Sequence, residues 1–444
     1  MDLLRKIYEA GVVGAGGAGF PTHRKLDCGV EYLIINGAEC EPLLKTDQYL
    51  MRNKSEQLVH AACLAGELVK ASHVIFALKR KYVDEAASLG SAIQKNGGGA
   101  EIFCLDGVYP AGDEHVLVYE VTGRTVRPGG IPLSVGAVVS NVNTVYNIYE
   151  AVKGKPVTSR YLTVAGQVNR PVLVKAPIGT PAAECIKAAG GTALEGYSVI
   201  MGGPMMGKIT DCSQLENRYM CKTDSGIIVI PGNHYLVKRA SVSIEHIINQ
   251  AKSACIQCSY CTDLCPRYLV GHRLRPHRIM RAIAAGTGAD AIYNEAFLCS
   301  ECGVCELYAC PMGLSPRKVN IYVKNRLRDA GVKPGSPPED LSNTAVRDFR
   351  KVPLARLVSR LDIARYDRPP EGEVVELRPD RVCIQLKQHI GVPAVPVVST
   401  GDKVAEGQLI AAVEYGQTGA NIHASISGTV EKTSSTFICI NSLR

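Results

Sequence analysis

The 444-residue sequence has no tryptophan and only six phenylalanines, which leaves few of the flat faces that hold single-stranded bases, although 19 tyrosines are present. Charge does not make up the shortfall. The formal net charge is +8, and it falls to about +4 if eight cysteines hold two 4Fe-4S centres as thiolates. A nucleic-acid partner is not expected. No uncharged apolar run reaches the roughly 18 residues of a membrane-spanning helix, so no transmembrane segment is expected either. The opening Met1-Asp2-Leu3-Leu4-Arg5-Lys6 lacks a basic segment followed by an apolar core and a small-residue cleavage site, which predicts a cytoplasmic protein. Disulfides persist mainly in oxidising compartments, so the 17 cysteines read first as metal ligands. At about 150 residues per domain, the length implies roughly three domains.

Apolar spacing divides the chain. Leu3, Leu4, Ile7 and Tyr8 recur at helical intervals and stop at Gly11, ahead of Val13-Gly14-Ala15-Gly16-Gly17-Ala18-Gly19-Phe20-Pro21. Tyr32–Asn36 reads as a buried strand, 55–71 as a helix and His73–Leu78 as another strand; the alternation predicts an α/β unit running to about residue 153. From Ser159, short β-branched runs, a helix over Pro181–Ala189 and a strand over Gly226–Ile230 predict a small α+β unit. Residues 241 to about 330 are helical in pattern. Lys333-Pro334-Gly335-Ser336-Pro337-Pro338 predicts a connector, and residues 381–444, with turn signals at Thr400-Gly401-Asp402-Lys403 and Ser427-Gly428, a compact β unit.

The strongest signal lies in the helical stretch. Cys255, Cys258, Cys261 and Cys265-Pro266 are spaced C-x2-C-x2-C-x3-C-P; Cys299, Cys302, Cys305 and Cys310-Pro311 repeat the pattern with one more residue, C-x2-C-x2-C-x4-C-P. Three thiolates on a tight loop reach three irons of a cubane, and in two-cluster ferredoxins the fourth, before the proline, serves the other centre. The expected ligand sets are therefore crossed: Cys255, Cys258 and Cys261 with Cys310, and Cys299, Cys302 and Cys305 with Cys265. Zinc sites would use paired C-x2-C units and have no need of the third cysteine. The additional residue, within Glu306-Leu307-Tyr308-Ala309, is expected to reshape the second loop. Between the motifs, His277, Ile279, Met280 and Ile283 keep helical spacing. Arg267, Arg273, Arg275, Arg278 and Arg281 make this segment basic, as a solvated face offsetting cluster charge or as a docking site for an acidic partner. The other nine cysteines, Cys28, Cys40, Cys63, Cys104, Cys185, Cys212, Cys221, Cys383 and Cys439, have no ligand spacing and read mostly as small core residues. Cys40 stands between Glu39 and Glu41, whose charges would raise its pKa and blunt a redox role.

Gly14, Gly16 and Gly19 match G-x-G-x-x-G, but a helix rather than a strand precedes them. The motif alone leaves an ordinary tight turn open beside a phosphate-cradling loop with Lys25 as its charge. Asn36-Gly37-Ala38-Glu39-Cys40-Glu41-Pro42 directly follows a strand, the edge at which α/β sheets bind ligands. Together these segments resemble the flavin and NADH fold of the flavin-bearing subunit of respiratory complex I. They resemble still more closely the RnfC component of the Rnf electron-transport complex and the cobalamin reductases of propanediol-utilisation microcompartments. Ser140-Asn141-Val142-Asn143-Thr144 is similar to the later flavin-phosphate segment, and Gly202–Gly207 and Ser225-Gly226-Ile227-Ile228 are further shared marks. Gly391, Gly401-Asp402-Lys403-Val404 and 419–428 resemble a barrel-sandwich domain that is N-terminal in RnfC and C-terminal here, as in the cobalamin reductases. No Met-Lys-Met occurs, so a lipoyl- or biotinyl-type swinging arm is not expected.

The resemblance spans the chain and implies an α/β FMN/NADH-binding domain at 1–153, a β-grasp module of the soluble-ligand-binding kind at 154–235, a helical two-cluster ferredoxin domain at 236–330, a linker at 331–380 and a barrel-sandwich β domain at 381–444. By it, Gly16, Gly17, Lys25, Asn36, Asn141 and Thr144 would hold FMN, with Glu39 and Glu41 near the flavin and the incoming nicotinamide. Complex I has a further Asp where this chain has Gly37-Ala38. The implied protein is an iron-sulfur flavoprotein oxidoreductase of electron transport, cytoplasmic or inside a bacterial microcompartment. NADH would be the donor, and a cobalamin or a corrinoid-carrying partner the acceptor. Ferredoxin or microcompartment shell proteins would be further partners, and no acid-base side chain need be catalytic because the cofactors carry the chemistry. No Asp-x-His-x-x-Gly corrinoid signature occurs, so cobalamin would bind transiently. The alternatives are a peripheral NADH-oxidising subunit of an Rnf-like membrane complex and a non-catalytic relay between ferredoxin and a partner.

Overall fold

A computed structural model describes residues 2–17, 19–287, 290–335 and 344–443. Met1, Ala18 of the glycine loop and Ser336-Pro337-Pro338 of the expected connector lie outside the described residues. Strands Tyr32–Gly37, His73–Lys79, Glu101–Leu105 and Ala137–Asn141 form a wholly parallel sheet in which Tyr32–Gly37 pairs with both His73–Lys79 and Ala137–Asn141. Parallel neighbours need crossovers, and helices Ser55–Leu68, Val83–Lys95 and Glu114–Thr122 lie on them. Successive strand residues enter opposite layers: Leu33 and Ile35 join one core and Ile34 the other, so both faces are covered.

The next sheet has six strands, with Ser159–Gly166 at its centre between Val172–Pro177 and Gly226–Pro231, and helix Ala182–Ala188 packed on it through Ala182, Cys185 and Ile186. Its edge strand, Val375–Glu376, comes from the segment expected to be a linker. That expectation fails elsewhere too. Val352–Pro353 pairs with Val108–Tyr109, and helix Leu354–Arg360 leads into Leu357, Leu361, Ile363 and Tyr366, all buried in one core with Tyr109, Ile228 and Val304. The helical spacing of those apolar residues outweighs the proline-rich stretch before them.

Helices Ile244–Ala254, Pro276–Ala285 and Pro316–Asp329 enclose Ile247, Ile279, Met280 and Val319 in the cysteine-bearing unit. The C-terminal unit sandwiches a four-stranded sheet against a three-stranded one. The expectation of core cysteines needs correction. Cys185 and Cys221 are buried, but Cys28, Cys40, Cys63 and Cys212 are half-buried and Cys104 is exposed, while Cys383 and Cys439 face each other on adjacent strands as a disulfide.

A buried lysine joins three of the units. Lys222 Nζ donates to the carbonyls of Gly11 and Asn421, both at 2.7 Å. Burial pushes its pKa down to about 7. Between that value and the ordinary lysine range the unfolded chain holds a proton that the folded chain has released, so this group makes stability rise with pH. The nearby His389 and His423 are also held below their usual value, which places their contribution at lower pH. Lys222→Met should therefore flatten the rise in thermal midpoint between about pH 7 and about pH 10 relative to the unsubstituted protein. An identical slope in both would show that Lys222 remains charged when buried.

Candidate functional site

The glycine loop is closed by a bridge between Val13 and Pro21 and by Gly14 N–H donating to the Phe20 carbonyl at 2.8 Å. It precedes a single helical turn, Thr22–Lys25. Gly17 has φ +118°, and a Cβ there would meet nothing within 4 Å, so the loop presents bare backbone to open space. The C-terminal ends of Tyr32–Gly37 and Ala137–Asn141 lie beside it. A Cβ on Gly16 would sit 3.4 Å from Asn141 Cβ, and Thr144 Oγ1 accepts the Ala15 N–H at 2.9 Å. Asn36 is occupied locally, donating to the Gly112 carbonyl and accepting the Ala38 N–H, each at 3.1 Å. Lys25 pairs with Glu114 at 2.8 Å.

Below the loop lies a polar cluster that sequence reasoning missed. Asp47 accepts from Asn141 Nδ2 at 2.9 Å and from Asn143 Nδ2 at 2.5 Å, and its N–H donates to Glu39 Oε2 at 3.2 Å. Burial, and then the proximity of Asp47, hold the Glu39 carboxyl well above its usual range. Lys79 donates to the Glu39 carbonyl at 2.9 Å, and Arg160 to that of Ala15 at 2.8 Å. The available signal was Lys79 itself, a cation ending an otherwise apolar strand. Cys40 Sγ accepts the Gly112 N–H at 2.6 Å, and burial pushes its thiol up to about 11, with Glu39 and Glu41 acting in the same direction.

Glu41 is engaged away from this cluster. Its two oxygens accept the N–H groups of Met205 and Met206, each at 2.9 Å, and burial raises its pKa to about 7. Gly203 has no side chain because a Cβ there would collide with the Glu41 carboxylate. The Gly202–Gly207 loop thus hangs from the first unit and touches the third, since Arg317 Nη1 donates to the Met205 carbonyl at 3.0 Å.

The cysteines gather in the crossed arrangement. Cys265, Cys299, Cys302 and Cys305 line one small cavity. The Cys261 thiol is pushed up to about 12 by burial and by Cys310, Cys258 and Cys255 around it; burial and the nearby Cys302 and Cys299 raise Cys265. Sulfurs accept Gln257 Nε2 at 3.0 Å on Cys255, the Leu314 N–H at 3.3 Å on Cys310 and the Glu301 N–H at 3.4 Å on Cys299, the outer contacts that tune bound iron. Among the described residues, no group of three His, Cys, Asp or Glu is placed to hold a single metal ion. The additional residue of the second motif is taken up in a π-helical turn, Val304–Ala309, which buries Glu306 near Arg239 (3.8 Å) and Arg317 (3.9 Å). The basic segment is not one solvated face. Arg267 pairs with Asp113 at 3.0 Å and Arg275 with Glu295, while Arg273, Arg278 and Arg281 are exposed.

Four family descriptions match successive stretches: Nuo51 FMN-binding domain at residues 7–150, SLBB domain at 161–208, 4Fe-4S dicluster domain at 254–315 and RnfC barrel sandwich hybrid domain at 373–442. A flavin-binding unit joined to a dicluster unit defines a flavin and iron-sulfur oxidoreductase of electron transport. The cobalamin reductase PduS of Salmonella typhimurium is 41% identical over 99% of this chain and 96% of its own. That of Citrobacter freundii is 40% identical over 97% and 94%. The chain belongs to this PduS family. The RnfC-type component of the Na(+)-translocating ferredoxin:NAD(+) oxidoreductase complex of Acetobacterium woodii is 35% identical over 60% of this chain and 58% of its own. Among solved structures, an NAD+-reducing [NiFe]-hydrogenase in the H2-reduced state superposes with a TM-score of 0.49 at 21% identity, covering 76% of this chain and 63% of that one.

The contact between Gly203 and Glu41 sets the first testable outcome. Gly203→Ala should cost about 1–3 kcal/mol in denaturant unfolding, because the new methyl displaces a buried, doubly bonded carboxylate. An unchanged midpoint would show that the loop yields freely.

Proposed function

We propose that this protein passes electrons from NADH, through FMN and two 4Fe-4S centres, to a cobalamin. The observation that carries the reading is the pairing of an open glycine loop at a parallel-sheet edge with two crossed sets of buried thiols in the same chain. FMN supplies the exchange between a two-electron hydride donor and one-electron carriers, and each 4Fe-4S centre supplies one-electron storage. Cys255, Cys258, Cys261 and Cys310 would hold one centre and Cys265, Cys299, Cys302 and Cys305 the other. Thiols this deeply buried are poor anions by themselves, and iron offsets that penalty.

Gly16 and Gly17 would lie against FMN, with Asn141 and Thr144 bracing the loop from behind. Lys25 would exchange Glu114 for the FMN phosphate, and Asn36 would hold the turn at Gly112 that completes the pocket edge. Glu39, kept in its neutral form, presents a hydrogen-bond donor where a nicotinamide and a flavin would meet. Glu41 acts at one remove, by holding the Met205 loop. The domain boundaries at 153, 235, 330 and 380 are read with the last 50 residues before the barrel-sandwich domain acting as a strap over the first three units. The relatives' name supports cobalamin as acceptor and a place in or near a microcompartment. No helix among the described residues is long and apolar enough to cross a membrane.

Gly17→Val should abolish FMN retention while about eight irons per chain remain, since a branched side chain is strained at this φ and fills the space above the loop. Lys25→Ala should weaken FMN binding less severely. Retained stoichiometric FMN in the Gly17 variant would remove the loop from the site.

In the anaerobically reconstituted protein, NADH should bleach the bound flavin and reduce cobalamin faster than free FMN with NADH does. Bleaching with rapid transfer to a ferredoxin or a membrane partner, and none to cobalamin, would favour the Rnf-like reading. No bleaching would leave a relay.

A further inference from the structure

The flavin-fold unit meets the cysteine unit at one of the two thiol sets. Tyr109 is buried, and its Oη donates to the Cys302 carbonyl at 2.8 Å. Four residues on, Asp113 caps helix Glu114–Thr122 and pairs with Arg267, two residues beyond Cys265. A single turn therefore grips both chain segments that supply the set. From the other side, Gly303 adopts φ +84° with its would-be Cβ 3.1 Å from the Met205 carbonyl, an approach that only glycine permits there. Met205 is in turn held by Glu41. The loop of the other set shows no such clamp and lies at the surface, with Ile256 61% and Tyr260 47% exposed.

We propose that Tyr109 is a positioning residue that fixes the Cys265, Cys299, Cys302 and Cys305 set against the flavin-binding unit, making it the inner centre and leaving the Cys255, Cys258, Cys261 and Cys310 set as the outer centre that faces the acceptor. The proposal rests on the flavin and iron-sulfur reading above. Electron transfer weakens steeply with separation, so the clamped set exchanges first with the flavin. Each transfer removes one electron from reduced FMN and adds one to the receiving centre.

The test uses the full chain reconstituted with iron, sulfide and FMN, the flavin being reduced by light with EDTA as the electron source, so that neither NADH nor cobalamin is required. Cys258→Ser and Cys299→Ser assign the two EPR signals to their centres. In rapid-freeze EPR the Cys299-linked signal should develop first. Tyr109→Phe, which keeps the ring and loses one hydrogen bond, should shift the midpoint potential and g-values of that centre and slow its reduction several-fold. The Cys258-linked centre should keep its own spectrum and potential. Prior reduction of the Cys258-linked centre, or a Tyr109→Phe variant whose two centres are both unaltered or equally altered, would overturn the proposal. Absence of bound flavin absorption would instead overturn the cofactor reading beneath it.

Discussion

Burial of sulfur is the constraint on which the rest of this structure depends. A thiol enclosed by protein and by other thiols resists ionisation, and Cys261, Cys265, Cys302 and Cys305 are all held above their ordinary range for that reason. Such a set serves as a ligand cage only when a polycation replaces the missing solvent. Its walls must then stay fixed, because small displacements change both ligand geometry and the hydrogen bonds reaching sulfur. The surrounding helices, the buried Glu306 beside Arg239 and Arg317, and the close approach of Met205 to Gly303 are the means by which the walls are held.

The flavin-side site obeys the complementary rule. Two carboxyls, Glu39 and Asp47, are packed together beneath a loop of bare backbone, where burial disfavours their charge. Lys79 and Arg160 do not neutralise them by ion pairing; each donates to a main-chain carbonyl. The cluster therefore combines carboxyls raised above their usual range with cations that brace the backbone, an arrangement suited to a flat redox cofactor more than to general acid-base work.

The SLBB-matched unit is a structural bridge in this architecture. Its Gly202–Gly207 loop connects Glu41 to Arg317, and its edge strand is supplied by residues that otherwise run across the first and third units. Lys222 closes the arrangement by bonding carbonyls of the N-terminal and C-terminal units at once. Separate family matches thus correspond to units that share cores and hydrogen bonds, as the common cluster of Leu43, Ile228, Val304 and Leu357 shows.

Local rules account for what was legible from residue order. Ligand spacing is a property of a few consecutive turns, so the two motifs and the extra residue between Cys305 and Cys310 stood out, as did the glycine loop and the strand before Asn36. Glu41 stood next to Glu39 in the chain and was read with it, yet a turn of backbone sends the two carboxyls to different units, which adjacency does not reveal. The strap beyond residue 344 was hidden because composition marks prolines but not the core that awaits Leu357 and Leu361. The sequence by itself determined the cofactor chemistry, since cysteine spacing and loop glycines act locally. Only the tertiary structure decided which thiol set lies against the flavin-binding unit and which carboxylates are buried, because burial and long-range contact are created by chain segments more than 100 residues apart, such as Tyr109 and Cys302.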